Sequence, residues 1–283
     1  MKIIIKLTII ATLFFFGNVN AQEFKGEATY KSKRQIDVKL DSTQMNDGMQ
    51  QQVKDMLKKQ FEKTHILTFN NEESIYKEEE SLGAPSPQGM EMVMIGMGGS
   101  DILYKNMKDK RKTNQTETFS KLFLIKDDLK EHEWTLGSET KNIGEYTCFK
   151  ATMTREVEDF GSGFTITPEE DDKHEEEEKK MKIITVTAWY TPQIHVSAGP
   201  AGYHGLPGLI LETNDGSQTI VCSKIVINPK KSNDIIEPTK GKEVTQKEFD
   251  TIMEKKMKEM EERYRPQGRG DGESFEIRIG DGK

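Results

Sequence analysis

His195 and His204 stand nine residues apart, on either side of Gly199-Pro200-Ala201-Gly202. Imidazoles titrate near neutral pH and serve as general acids, general bases or metal ligands. A Gly-Pro bend between the two predicts that both rings reach one place, with Tyr190 and Tyr203 beside them. As a catalytic set the pair lacks a carboxylate in the right local context, Glu212 and Asp215 being the nearest. The competing reading makes both histidines hydrogen-bonders at the mouth of a turn. A second candidate is Met90, Met92, Met94 and Met97, whose thioethers are soft ligands suited to Cu(I). Methionines in a loop equally serve as adaptable packing against an apolar surface. No Walker-type or dinucleotide glycine loop is present, and no HExxH, CxxC or GxSxG. The common nucleotide-binding, zinc hydrolase, redox and serine hydrolase chemistries therefore have no anchor here.

Residues 1–21 read as a secretory signal peptide. Lys2 and Lys6 open it, an apolar run extends from Leu7 to Phe16, and Val19-Asn20-Ala21 presents small residues to a signal peptidase. Cleavage is expected between Ala21 and Gln22, leaving a periplasmic or secreted chain. The apolar run is shorter than the roughly 20 residues that span a bilayer, and no later stretch comes close. Loss of Lys2 and Lys6 takes the formal net charge from −7 to −9. That acidity argues against nucleic acid as a partner and offers nothing to an anionic membrane. Charged residues make up 31% of the chain and the mean hydropathy is −0.72, so part of it is expected to be loop or tail rather than core. Two cysteines, Cys148 and Cys222, fall on the more polar parity of two strand-like stretches. An even count in an exported chain permits a disulfide, and two separate thiols fit as well.

Short alternating segments dominate the elements that must position these residues. Phe24–Lys33, Thr64–Asn70, Glu73–Glu78, Ile102–Asn106, Thr113–Phe119, Leu122–Ile125, Glu133–Leu136 and Glu145–Arg155 read as strands. So do Ile183–Thr191, Gly208–Thr213 and Gln218–Asn228, the last two joined through Asn214-Asp215-Gly216, which accepts the positive φ of a tight turn. Helical spacing predicts a helix over 47–63, from Met49, Val53, Met56, Leu57 and Phe61. A second helix is predicted over 245–264. There Thr245 and Glu248 form a capping box and Phe249, Ile252, Met253, Met257 and Met260 an apolar stripe, to lie on the sheet or on a partner helix. Residues 81–100, rich in Gly, Met, Pro and Ser, and the charge run within 156–182 read as insertions, and Phe275–Ile279 as an edge strand.

Gly205-Leu206-Pro207-Gly208-Leu209-Ile210 has its own logic. Glycines admit backbone conformations closed to other residues, proline fixes φ, and the three aliphatic residues anchor the segment in a core. A rigid corner entering a buried strand is expected, or else the wall of a binding pocket that includes Trp189, Tyr190 and Leu206. At these residues the sequence resembles the GLPGLI family of exported Bacteroidota proteins. Trp134-Thr135-Leu136, Gly144-Glu145-Tyr146-Thr147-Cys148, Thr187-Ala188-Trp189-Tyr190-Thr191-Pro192 and Ser197-Ala198-Gly199-Pro200 are similar to its other blocks, as is Asp101-Ile102-Leu103-Tyr104-Lys105-Asn106. The resemblance implies an exported envelope protein with a β-rich fold and carries over no catalytic residues.

The expected fold class is mainly β with some α: a curved antiparallel sheet of about eight to ten strands, packed against a few helices, with charged insertions. The expected organisation is a signal peptide over 1–21, a β-rich domain over 22–230, a helical segment over 231–266 and a tail over 267–283. The expected function is non-catalytic and cofactor-free: an accessory or binding protein for another envelope protein or a small apolar ligand. Copper handling through the methionines or the histidine pair, and an uncharacterised hydrolytic activity, are the alternatives.

Overall fold

Most of the alternating segments fold as strands. In the computed structural model they are β1 (Gly26–Arg34), β2 (Asp37–Leu40), β3 (Glu62–Phe69), β4 (Glu73–Glu78), β5 (Ile102–Asn106), β6 (Arg111–Thr118), β7 (Lys121–Asp128) and β8 (Thr135–Ile143). Next come β9 (Tyr146–Glu158), β10 (Phe164–Ile166), β11 (Met181–Thr191), β12 (Leu209–Asn214), β13 (Gln218–Ile227), β14 (Lys242–Val244) and β15 (Phe275–Arg278), with the helix α1 (Gln246–Tyr264) between the last two. The residues described are 24–35, 37–40, 48, 51, 55, 61–79, 101–158, 164–166, 181–231, 234–264 and 275–278. The expected signal peptide, Met90, Met92, Met94 and Met97, and most of the acidic insertion lie outside them.

Twelve strands form one open, curved sheet in the order β14-β7-β6-β5-β4-β3-β1-β13-β12-β11-β9-β8. Every neighbouring pair is antiparallel except β14 with β7, which makes the sheet mixed. Side chains set the turns. Asn70 accepts bonds from the amides of Glu72 and Glu73 between β3 and β4. Asp215 does the same for Ser217 and Gln218 between β12 and β13. Both are Asx turns, in which a short side-chain acceptor replaces a backbone one.

Three elements differ from expectation. The strand begun at Thr135 runs on to Ile143, although its residues are mostly exposed. It forms one edge of the sheet and is held by backbone pairing to β9, so it needs no apolar face and shows no alternation. Glu62 and Lys63 open β3 opposite Lys33 and Ser32 instead of closing a helix. Of the expected helix, Gly48, Gln51 and Asp55 are helical and the remainder up to residue 60 is not described. Phe275–Arg278 is the central strand of a separate three-stranded sheet, between β10 and β2, rather than an edge.

The helix α1 starts where its capping box predicts. The Thr245 amide donates to Glu248 Oε2 at 2.8 Å, and the Glu248 amide donates back to Thr245 Oγ1 at 3.3 Å. Its first turns lie on the sheet, with Phe249 and Ile252 against Phe123, Ile125 and Val244. Glu237 receives the side chains of Arg111 and Thr113, so the chain beyond residue 230 is laid along β6 before it pairs with β7. Among the described residues no helix is long and apolar enough to cross a membrane.

Two apolar clusters meet at β12. Leu209 and Leu211 belong to a cluster with Ala28, Tyr30, Leu67, Phe69 and Tyr76, while Ile210 joins Ala151, Met153, Val186, Ala188, Tyr190, Tyr203 and Leu206. Successive side chains of a strand point to opposite faces, so a strand covered on both sides reads as an unbroken apolar run.

Candidate functional site

Residues 192–208 leave β11, double back and enter β12 as a closed corner. Leu209 and Ile210 donate to the carbonyls of Ile194 and Ala198, and Gly205 donates to that of Ser197. Within the corner the Gly208 amide donates to Leu206 O at 2.8 Å across Pro207, a three-residue turn that suits proline's fixed φ. Ile194, Val196 and Ala198 point into the first core cluster, while Tyr203 and Leu206 sit in the second. Tyr30, fully buried on β1, donates its hydroxyl to Ile210 O at 2.7 Å and so ties the corner to the middle of the sheet.

The far side of the corner is held by Lys105 on β5. Its side chain is 0% exposed, and among the described residues no carboxylate pairs with it. Nζ donates to three backbone carbonyls, those of Gly199 at 2.9 Å, Ala201 at 2.7 Å and Tyr203 at 3.0 Å. Ala201 adopts a positive φ of 47°, unusual for a residue with a side chain, within the turn that presents these carbonyls. Burial pulls the ammonium down to about 7. The three carbonyls oppose that pull, because only the charged form has three protons to donate.

The histidines are arranged differently from expectation. His204 is buried, but His195 is exposed, and no hydrogen bond or ring contact joins them. The ring beside His204 is His132, at a centroid distance of 4.6 Å. His132 Nε2 and His204 Nδ1 each lie 3.1 Å from the same carbonyl, Gly202 O, and the indole of Trp134 donates to His204 O at 2.9 Å. The convergence expected of His195 and His204 therefore does not occur. Burial alternates along 194–198, so residue 195 points away from the core that its neighbours Ile194 and Val196 enter. Burial, then the nearby Lys105 charge, pulls His204 down to about 4. Burial, again the leading cause, lowers His132 as well. A folded state that resists protonation loses stability as the pH falls from the ordinary histidine value of 6.5 toward 4, since only the unfolded chain takes up the proton in that window. Urea midpoints are expected to fall across that range, and His204→Gln should flatten the slope. An unchanged slope in the variant would show that His204 charges freely in the fold.

Of the other residues read from the sequence, Tyr203, His204 and Leu206 are buried in the corner, and Tyr190 is buried at the end of β11. Trp189 does not join them: it faces the first cluster while Tyr190 faces the second, and it carries Lys141 Nζ 4.5 Å above its ring. Trp189 thus packs in a different cluster from Tyr190 and Leu206. Cys148 and Cys222 are separate thiols, both buried in the first cluster rather than on a polar face, and burial raises both to about 11.

A second group of polar side chains gathers on the sheet across β3 to β6. Directly paired residues share a face. Leu67, Tyr76, Leu103 and Asn114 form one such row, and Tyr30, His65 and Glu78 the next. Asp101, just before β5, closes the second row, its carboxylate accepting side-chain hydrogen bonds from Thr116 and Asn114. The rings of His65 and Tyr76 stack at 4.7 Å, 6° from parallel, and Lys63 pairs with Glu78 at 2.8 Å. Four side-chain atoms of this group are buried without a hydrogen-bond partner: His65 Nδ1, Tyr76 OH, Asp101 Oδ1 and Asn114 Oδ1. Native interiors leave few such atoms, because each costs about 1–3 kcal/mol. In the sequence these residues look like ordinary polar positions of amphipathic strands. Only the strand register brings them together.

A family model described as a protein of unknown function (Porph_ging) matches residues 134–212, which run from Trp134 through the corner into β12. Comparison with curated proteins finds no match. Solved structures of PNGF-II in the C2 and P21 space groups are similar at 15% identity, with TM-scores of 0.47 and 0.46. Each alignment covers 82% of this chain and 33% of the other, so the chain spans about a third of the length of that protein.

Proposed function

We propose that this chain is an exported, GLPGLI-like binding protein of the cell envelope, in which the corner is a structural lock and the polar rows of β3 to β6 are the ligand face. The observation that carries this reading is the contrast in hydrogen bonding between the two places. In the corner, Lys105, Tyr30, Trp134, His132 and His204 all have backbone partners. Across β3 to β6, the four buried polar atoms of these rows have none, and neither has Ser74 Oγ on β4. Groups of that kind are retained where something else satisfies them. The unsatisfied atoms are polar, so the ligand this face fits is polar, in place of the apolar one expected from the corner. Export rests on the leader read in residues 1–21.

Cell fractionation with N-terminal sequencing is expected to find the chain outside the cytoplasm, beginning at Gln22. Mass spectrometry of the protein as purified from the envelope should then detect a small polar molecule bound to it. A cytoplasmic chain that retains Met1 would sink the export reading. A clean protein without cargo or partner would count against binding.

A further inference from the structure

We infer that the polar rows of β3 to β6 bind a small primary alkylammonium ion, held by Asp101, Asn114 and Tyr76 beside the His65 ring. The inference rests on the reading of this chain as a binding protein and adds the chemistry of the ligand.

Two of the four orphaned atoms, Asp101 Oδ1 and Asn114 Oδ1, are oxygens that accept hydrogen bonds. Tyr76 OH can accept as well, and so can Nδ1 of a neutral His65, a ring that burial keeps from charging. Four acceptors call for a ligand rich in donors. Charge narrows the class further. The charges that reach Asp101 are Lys63 and Glu78, and those two are paired with each other. Asp101 is therefore a half-buried carboxylate that accepts hydrogen bonds from Thr116 and Asn114 but, among the described residues, has no cation of its own, and burial raises its pKa accordingly. A protonated amine meets both requirements, since it supplies three N–H donors from one atom and one positive charge. A hydroxyl compound brings single donors and leaves the carboxylate uncompensated. Calcium takes six to eight oxygen ligands, and one carboxylate, one amide and one phenol fall short of that. The aromatic side fits too. Tyr76 is 6% exposed, with its ring parallel to His65 and edge-on to Tyr30 at 6.2 Å, and a phenol ring beside a cation adds attraction.

The test is titration of the purified full chain, in the form cells accumulate, with n-butylamine and 1,4-diaminobutane, read by calorimetry and thermal unfolding. Butan-1-ol and calcium chloride are the controls. Saturable binding of at least one amine is expected below about 10 mM, with neither control binding. Asp101→Asn should weaken amine binding roughly ten-fold, and Tyr76→Phe roughly three-fold. Tyr76→Phe supplies a second readout. It removes a buried hydroxyl that has no partner in the unliganded protein, so it should raise the melting temperature while lowering amine affinity. A purely structural hydroxyl would give the opposite sign. Absence of amine saturation, equal binding of butanol or calcium, or a lowered melting temperature for unliganded Tyr76→Phe would each overturn the assignment. The titration needs no envelope partner. A protein that carries some other polar cargo but ignores amines would refute the ammonium assignment and leave the binding reading standing.

Discussion

Gly208→Ala is expected to destabilise the protein by about 3 kcal/mol or more, a drop of roughly 6–12 °C in melting temperature for a domain of this size. A Cβ at position 208 would lie 2.2 Å from the Thr191 carbonyl oxygen, 2.6 Å from its carbon and 2.8 Å from the Pro192 nitrogen. All three are backbone atoms, so no side-chain rotation relieves the overlap. Thr191 is itself fully buried and pairs with Leu209, which means that the end of β11 and the start of β12 would have to separate. Those are the strands through which the two apolar clusters meet. Gly202 is the control: a Cβ there meets nothing within 4 Å. Gly202→Ala should stay within about 0.5 kcal/mol of the parent. If the two variants melt together, the corner is not the rigid closure that the close approach at Gly208 implies.

Lys105→Met should destabilise the protein by roughly 3 kcal/mol at pH 6. The methionine keeps most of the volume and removes the cost of a buried charge, but it strands the carbonyls of Gly199, Ala201 and Tyr203, which lie 94 to 98 residues away in sequence. The pH dependence separates this role from simple packing. Lys105 has an ordinary value of 10.5 and is pulled to about 7 in the fold. Between these limits the unfolded state binds more protons than the native state, so the Lys105 contribution to stability rises with pH. The stability gap between the parent and Lys105→Met should therefore widen from pH 7 toward 10.5. The comparison must be made as a difference. Cys148 and Cys222, raised from 9.0 to about 11, weaken both proteins as the pH climbs through that range. A gap that stays constant would mean that the carbonyls hold the proton on throughout, and a narrowing gap would contradict the burial account.

Local features were the ones open to reading from the sequence. The capping box of Thr245 and Glu248 forms as written because both partners lie within one helical turn. The turn at Asp215 forms because the side chain bonds amides two and three residues on. The central strands were legible because burial on one face imposes alternation, and β12 because burial on both faces imposes Leu209-Ile210-Leu211. The strand β8 was only half seen, since an exposed edge constrains its side chains little. The corner was legible as a corner, from its glycines and proline, and its chemistry was not. His204 has His132 as its neighbour, a residue that nothing in the sequence singles out, and His195 turns outward.

The amino-acid order was thus enough for an all but continuous β pattern, a signature corner entering a doubly buried strand, and a capped helix laid on the sheet, because each rests on contacts close along the chain or on periodicity. It took the folded chain to show that Lys105 closes the corner, that His132 and His204 serve the backbone of Gly202, and that His65, Tyr76, Asp101 and Asn114 lie on one face of the sheet. Those relations depend on strand register. Register is set by the summed pairing of the whole sheet, and no single segment records it.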